Sequence, residues 1–290
     1  MVVAGFIYVI LASSVGAVKS LSPLALRAPQ SDSPKPFPIN GKRGFAFNDP
    51  GLSAHLSQSD QVSKISWAYN WASDPYFPSG TYPAEVYNRV LIYTPMLWGT
   101  DPSMTSIWDA AVASAIANYT TDSLLAFNEP DTCCAGCGGS CIDAPTAANA
   151  YRQWIQPYAG TLALGSPAVT NGVGDGIGLS WLHDFVGNCT GCQVDFVTVH
   201  WYGDVNNPKS FKDYLKGCWE QFQKPIWLTE FGVNSGTEEQ IAGFLMAVLP
   251  WLDRQAYVER YAYFMARNIG SPYLLNPDNS MTAVGATFMF

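Results

Sequence analysis

Charge is what this sequence has least of, and positive charge least of all. Only 13% of its 290 residues are charged, with 23 acidic residues against 15 basic ones and only three histidines. Beyond Val18 no stretch offers the ~18 apolar residues, free of charges and prolines, that a membrane helix needs. No Gly-rich phosphate loop follows the first apolar run after Arg43, which argues against the dinucleotide-binding folds. After Arg43 the chain holds 10 basic and 22 acidic residues, a net charge of −12. Nucleic acid and anionic membranes would repel such a surface. A neutral, hydroxyl-rich ligand suits it better.

What the chain does have is apolar mass: 48% hydrophobic and 14% aromatic residues, enough for one large core and too much for disorder. The N-terminus differs from the rest. Val2 to Val18 form an apolar stretch with small residues at Val15 and Ala17, predicting a secretory signal over residues 1–19 cut after Ala17. No early Lys or Arg precedes it, so a signal anchor is the alternative. Residues 20–43 are rich in Pro and Ser without an apolar period, as in a propeptide or linker. Lys42-Arg43 forms either a dibasic processing site or the start of the first strand. The expected catalytic domain is 44–290.

Seven cysteines in a chain expected to be secreted point first to disulfides. Cys133, Cys134, Cys137 and Cys141 cluster in a Gly-rich loop, Cys189 and Cys192 bracket Thr190-Gly191, and Cys218 stands alone. Cys134 and Cys137 also have metal-ligand spacing, so zinc is the second reading of that loop. The pairing is open, and an odd count leaves at least one thiol unpaired within the chain. Asn118-Tyr-Thr and Asn188-Cys-Thr are glycosylation sequons, in keeping with export.

Downstream of Arg43, short apolar, β-branched or aromatic runs recur at Gly44–Asn48, Lys64–Asn70, Arg89–Leu97, Ser123–Asn128, Leu162–Ala168, Val194–His200, Ile226–Glu230 and Arg260–Met265. Helical patterns separate most of them: Met104–Tyr119, Ala144–Tyr158, Leu179–Val186, Lys209–Phe222 and Glu238–Leu252. Asp143 with Pro145, and Thr237 with Glu238 and Glu239, read as helix starts. The first two units are weak in helix, at Leu52–Ser59 and near Tyr82–Asn88, and the last helix at Ala283–Phe288 is short. Eight strand–helix alternations in ~250 residues predict a single-domain α/β fold, the (β/α)8 TIM barrel. An open doubly wound sheet is the runner-up.

Two of the strand runs end abruptly in a glutamate: Ser123 to Asn128-Glu129-Pro130, and Pro225 to Glu230-Phe231-Gly232. A carboxylate at the end of a core strand is costly unless it pairs, titrates or faces a cleft. Counting strands places Glu129 after the fourth and Glu230 after the seventh, both at the C-terminal mouth where barrel enzymes place their chemistry. Two carboxyls facing one cleft suit glycoside hydrolysis, which needs one to protonate the leaving oxygen and one to attack or activate water. Other expected mouth positions are Asn48, Trp67, Tyr69, Asn70, Trp98, Asn128, His200, Trp201, Tyr202 and Tyr263. Aromatic rings in a cleft poor in cations suit a sugar, whose apolar faces stack on flat rings.

With these residues in place, the pairing of Phe127-Asn128-Glu129-Pro130 with Thr229-Glu230-Phe231-Gly232 resembles clan A of the glycoside hydrolases. Adding Arg43-Gly-Phe-Ala-Phe-Asn48, Trp67-Ala-Tyr-Asn70, Val199-His-Trp-Tyr202 and Tyr261-Ala-Tyr-Phe264, the ordered set resembles glycoside hydrolase family 128, the alkali-sensitive-linkage-protein-like β-1,3-glucanases. The resemblance runs from about Arg43 to the C-terminus. It implies a retaining, endo-acting β-1,3-glucan hydrolase with Glu129 as acid/base and Glu230 as nucleophile. It further implies that Asn128 bonds the sugar 2-hydroxyl, that Tyr202 orients the nucleophile, and that Trp67, Tyr69, Trp98 and Trp201 line glucan subsites. No metal or organic cofactor is implied. The expected setting is a secreted or wall-associated monomer meeting β-1,3-glucan and neither nucleic acid nor membrane. Two departures stand out: no Arg near the second strand to support the nucleophile, and Tyr263-Phe264 where many clan members carry Trp at the end of strand eight.

Simpler readings compete residue by residue. Glu129 could cap a helix and Glu230 could be a buried structural ion, though not readily both in matching motifs. Asn128 could merely satisfy a turn, and His200 could be a satisfied core histidine. His55, His183, Trp154, Trp181, Trp219 and Trp251 lie in helical patterns and read as packing. Asp49 and Asp131 sit near mouth loops but lack the strand-end setting. Two further functions compete as well: a non-hydrolytic glucan-binding protein of the cell surface, and a hydrolase of another β-linked glucan or of mannan.

Overall fold

A computed structural model describes residues 41–58, 61–76 and 86–290. The expected signal over 1–19, nearly all of the 20–43 segment and most of the Tyr82–Asn88 piece lie outside the described residues.

Eight parallel strands carry the fold: β1 (Arg43–Phe47), β2 (Ile65–Tyr69), β3 (Ile92–Tyr93), β4 (Ser123–Leu124), β5 (Ala163–Leu164), β6 (Val197–Gly203), β7 (Ile226–Val233) and β8 (Val258–Ala266). Six of them hydrogen-bond in the order β3-β2-β1-β8-β7-β6, and β4 pairs with β5. Parallel bridges join the two groups, Met96 to Leu125 on one side and Gly165 to Phe196 with Val169 to Val199 on the other, so the ring is complete. The barrel expected from the alternation is present. Strands three to five are shorter than the sequence runs because Pro95 and Pro167 interrupt their ladders: a proline has no N–H to give.

Helices α1 (Pro102–Asn118), α2 (Ala144–Trp154), α3 (Leu179–Asn188), α4 (Pro208–Phe222), α5 (Glu238–Arg254) and α6 (Ala283–Met289) cover the outside. Their starts are written in the sequence. Asp101, Asp143 and Asn207 each accept a first-turn N–H, with proline in the first turn, and Thr237 with Gln240 forms a capping box. The described helical piece of the first unit is a 3-10 turn, Pro50–Ala54, capped by Asp49, followed by a short antiparallel pair, Ser57–Gln58 with Gln61–Val62.

Strand alternation splits the core in two. Ala46, Trp67, Tyr69, Ile92, Met96, Leu125, Phe196, Trp227, Ala262 and Met265 fill the barrel interior. Phe45, Ala68, Val199, Trp201, Leu228, Phe231, Tyr261 and Tyr263 face the helices. Trp67 crosses the barrel floor, its indole N–H donating to the Lys42 carbonyl at 3.0 Å. A Cβ on Gly44 would lie 2.3 Å from that indole, so only glycine fits there.

Lys42 and Arg43, left between linker and strand by the sequence, belong to the barrel. The Lys42 carbonyl also accepts from the Tyr261 N–H at 2.8 Å. Arg43 is buried and donates to the Tyr261 hydroxyl at 2.9 Å, the Phe288 carbonyl at 2.6 Å and Asp253 at 3.0 Å.

Candidate active site

The two glutamates meet at the C-terminal mouth. Beside Glu230 the register of β7 slips by one residue against both β6 and β8. An extra residue of this kind re-aims a side chain, and it turns Glu230 into the barrel mouth while Phe231 keeps its place among the helix-facing residues. Glu129 reaches the same mouth by another device. Its φ is +40°, a left-handed backbone that non-glycine residues adopt at a cost and that clusters at functional sites. The turn is held from all sides: the Glu129 N–H donates to the Ala168 carbonyl at 2.8 Å, Ser140 N–H to the Asn128 carbonyl at 2.8 Å, and Ile142 N–H to the Pro130 carbonyl at 3.0 Å. Gly139 packs against it so closely that a Cβ would sit 2.6 Å from the Glu129 carbonyl oxygen.

Between the carboxylates lies His200, fully buried. Its Nδ1 is 2.8 Å from Glu129 Oε1, and its Nε2 is 3.0 Å from Thr229 Oγ1 and 3.6 Å from Glu230 Oε1. Burial pulls the imidazole pKa down, but Glu230, Glu129 and Asp131 together outweigh it, so His200 titrates above its usual 6.5. Glu230 also accepts two neutral donors, the Trp71 indole N–H on Oε1 at 2.6 Å and the Tyr202 hydroxyl on Oε2 at 2.6 Å. Burial and then the Glu230 charge push the Tyr202 phenol far up, so it remains a donor at any working pH.

Glu129, His200 and Glu230 each bring a ligand-type atom within 4.8 Å of the others, close enough to be considered for a metal. Yet both oxygens of Glu230 already accept hydrogen bonds, and His200 spans the two carboxylates through different nitrogens. The arrangement favours moving protons over holding an ion.

Around this centre a cavity of about 490 Å³ is lined by Asn48, Trp71, Trp98, Asn128, Tyr202 and Phe264 besides the glutamates. It continues past Asn48, Trp71 and Trp98 into a second lobe of about 430 Å³ that reaches Asn70, Met104 and Ile107. Asn128 donates from Nδ2 to the Gly138 carbonyl at 3.0 Å, while its buried Oδ1 has no partner among the described residues.

Of the residues expected at the mouth, Asn48, Asn70, Trp98, Asn128, Glu129, His200, Tyr202 and Glu230 are brought together there. Four are not. Trp67 and Tyr69 lie wholly buried deeper in the barrel, the Tyr69 hydroxyl donating to the Thr229 carbonyl at 2.8 Å. Trp201 points outward, its ring stacked at 5.7 Å on Phe244. Tyr263 faces Phe231 and Phe288 on the helix side. Trp71 and Phe264 take their places, with ring centroids 5.6 Å apart edge to face. Alternation finds Phe264, which shares the parity of Ala262, but not Trp71, which follows the end of β2 with φ +57° beside Asn70, also in the cleft wall.

The cysteine loop pairs as Cys133–Cys141 and Cys134–Cys137, and Cys189 pairs with Cys192. Zinc is thereby replaced by disulfides at Cys134 and Cys137, and Cys218 is free and buried. Cys137 and Gly138 of the stapled loop form part of the cleft wall.

Residues 44–288 match the family model described as glycosyl hydrolase catalytic core. Alkali-sensitive linkage protein 1 of Schizosaccharomyces pombe is 32% identical over 238 residues, 78% of this chain but only 39% of that longer protein. A GH128 subgroup III curdlan-specific exo-β-1,3-glucanase from Blastomyces gilchristii, solved with glucose, is 37% identical over 87% of this chain and 98% of its own, with a TM-score of 0.72. A subgroup I endo-β-1,3-glucanase from Amycolatopsis mediterranei, solved with laminaritriose, is 27% identical over 86% and 97%, with a TM-score of 0.64. Fold, paired glutamates and likeness along nearly the whole barrel agree: the chain belongs to the glycosyl hydrolases of family 128.

Proposed function

We propose that this protein is a retaining β-1,3-glucan hydrolase with Glu129 as acid/base and Glu230 as nucleophile. The observation that carries the reading is the approach of the two carboxylates, with an oxygen of each within 4.8 Å. Retention uses carboxyls about 5–5.5 Å apart, whereas inversion leaves roughly 6.5–9.5 Å for a water. Trp71 and Tyr202 donate to the two oxygens of Glu230 and so aim its carboxyl group at the cleft. In the first step a Glu230 oxygen bonds to the anomeric carbon as the glycosidic bond breaks, and the leaving oxygen takes the proton of Glu129. Water then attacks the same carbon, Glu129 takes its proton, and the bond to Glu230 breaks. The unpartnered Oδ1 of Asn128 suits a sugar hydroxyl, whose bond strengthens in the transition state.

β-1,3-Glucan is supported as substrate by the ligands and activities of the two solved relatives. Endo action is the expectation from sequence. The test is product analysis on laminarin. Wild type releases mixed laminari-oligosaccharides with the β-anomer first, and Glu230→Gln loses at least ~10³-fold of the rate. An α-anomer first would exclude retention, and glucose as the sole early product would make the action exo. Binding of laminarin without sugar release would replace hydrolysis by glucan binding. Faster cleavage of β-1,4-glucan or mannan would replace the substrate.

Export fits the three disulfides and the two exposed sequons, Asn118 and Asn188, at the ends of α1 and α3. Full-length protein retained inside cells without glycan would refute it. A monomer is expected in solution, and a dimeric mass by light scattering would correct that.

A further inference from the structure

Asp131 follows the acid/base by two residues, and its carboxylate is bonded to a neighbouring loop rather than lining the cleft. It accepts the Thr170 hydroxyl on Oδ2 at 2.6 Å, the Gly178 N–H on Oδ2 at 2.8 Å, and the Thr170 N–H at 3.2 and 3.3 Å from its two oxygens. Both partners belong to the loop that leaves strand β5. On the far side of the same turn, Gly139 and the loop closed by Cys133–Cys141 press against the Glu129 carbonyl. The turn that keeps Glu129 at φ +40° is therefore pinned from two directions, by a disulfide loop and by one carboxylate.

We propose that Asp131 is a positioning residue for Glu129, tying the acid/base turn to the β5 loop through Thr170 and Gly178. The inference rests on the acid/base assignment above. A left-handed backbone at a glutamate persists only when its surroundings over-determine it. Charge-assisted hydrogen bonds are about twice as strong as neutral ones, which suits a carboxylate to that task. Without it the turn relaxes, and the Glu129 carboxyl leaves the line to the glycosidic oxygen. A misplacement of about 1 Å costs on the order of 10²-fold in rate. The Asp131 charge also favours the protonated form of His200, which contacts Glu129.

The test exploits the leaving group. A 2,4-dinitrophenyl glycoside departs without a proton, so its cleavage does not need a placed acid, whereas laminarin does. Asp131→Ala is expected to lose ~10- to 100-fold in kcat/KM on laminarin while staying within about twofold of wild type on 2,4-dinitrophenyl β-laminaribioside. Asp131→Asn, which keeps one acceptor oxygen, recovers part of the loss. Should Asp131→Ala fold poorly, Thr170→Ala removes one donor and shows the same pattern at smaller amplitude. Equal losses on both substrates, or none on laminarin, overturn the positioning role. Glu129→Ala serves as the reference, read in kcat/KM, which reports the first step only: if its kcat/KM falls equally on both substrates, the acid/base assignment itself has failed, a different outcome.

Discussion

Tyr202 donates its hydroxyl to Oε2 of Glu230 at 2.6 Å, while the Trp71 indole holds the other oxygen at the same distance. Glu230, the proposed nucleophile, is thus held by two neutral donors, one on β6 and one just past the end of β2. A hydrogen bond to a charged group contributes about 1.5–3 kcal/mol. Tyr202→Phe should lower kcat/KM on laminarin by roughly 10- to 100-fold. Trp71→Phe should act in the same direction. Because both act on one carboxylate, the double variant should lose less than the product of the single losses. Full multiplicative loss would show that the two donors act independently.

His200 makes the folded state sensitive to pH. Its pKa is raised above 6.5 by Glu230, Glu129 and Asp131 against the pull of burial. The folded protein then holds the proton more tightly than the unfolded chain. This stabilisation is complete below about 6.5 and fades as pH rises through the folded value, with a slope of at most about 1.4 kcal/mol per pH unit. Thermal melting between pH 5 and 9 should show the decline in wild type and a flatter curve in His200→Asn. An identical slope in the variant would assign the effect to other groups.

Aromatic placement tests what the sequence could tell. The two glutamates were legible because a carboxylate ending an apolar run is anomalous, and the barrel was legible because strand and helix patterns alternate. Which aromatics face the sugar was not legible from motif proximity. Trp201 adjoins Tyr202 in sequence yet points to the opposite side, since neighbours on a strand face opposite ways. Tyr263 and Phe264 divide in the same way, Phe264 lining the cleft and Tyr263 packing on Phe288 among the helices. The role of Asp131 was hidden for another reason: its partners Thr170 and Gly178 lie 39 and 47 residues away, and no local pattern announces them.

Trp98 and Trp201 should therefore part company on mutation. Trp98 lines both lobes of the cleft, so Trp98→Ala should raise KM for laminari-oligosaccharides about 3- to 10-fold, the value of one aromatic stacking contact, with little loss of stability. Trp201 packs between Phe211 and Phe244. Its replacement by Ala should cost about 3–5 kcal/mol of stability and leave KM of the folded fraction unchanged. A KM effect from Trp201→Ala alone would reverse the placement.

Arg43 decides where the folded domain begins. Its guanidinium reaches Tyr261 on β8, the Phe288 carbonyl near the end of α6, and Asp253 on α5, closing the floor of the barrel where the first and last strands meet. Arg43→Met leaves the buried Phe288 carbonyl without this donor, at a cost of about 1–3 kcal/mol. Asp253→Asn should cost less, about 1 kcal/mol, because Asp253 is 41% exposed and its charge is screened. Denaturant unfolding measures both, and equal losses would contradict this ranking. The same contacts bear on processing. A cut after Arg43 would remove the guanidinium and the Lys42 carbonyl that anchors Trp67 and Tyr261. The mature N-terminus should therefore map before Lys42, and protein beginning at Gly44 should melt markedly lower than protein that retains both residues.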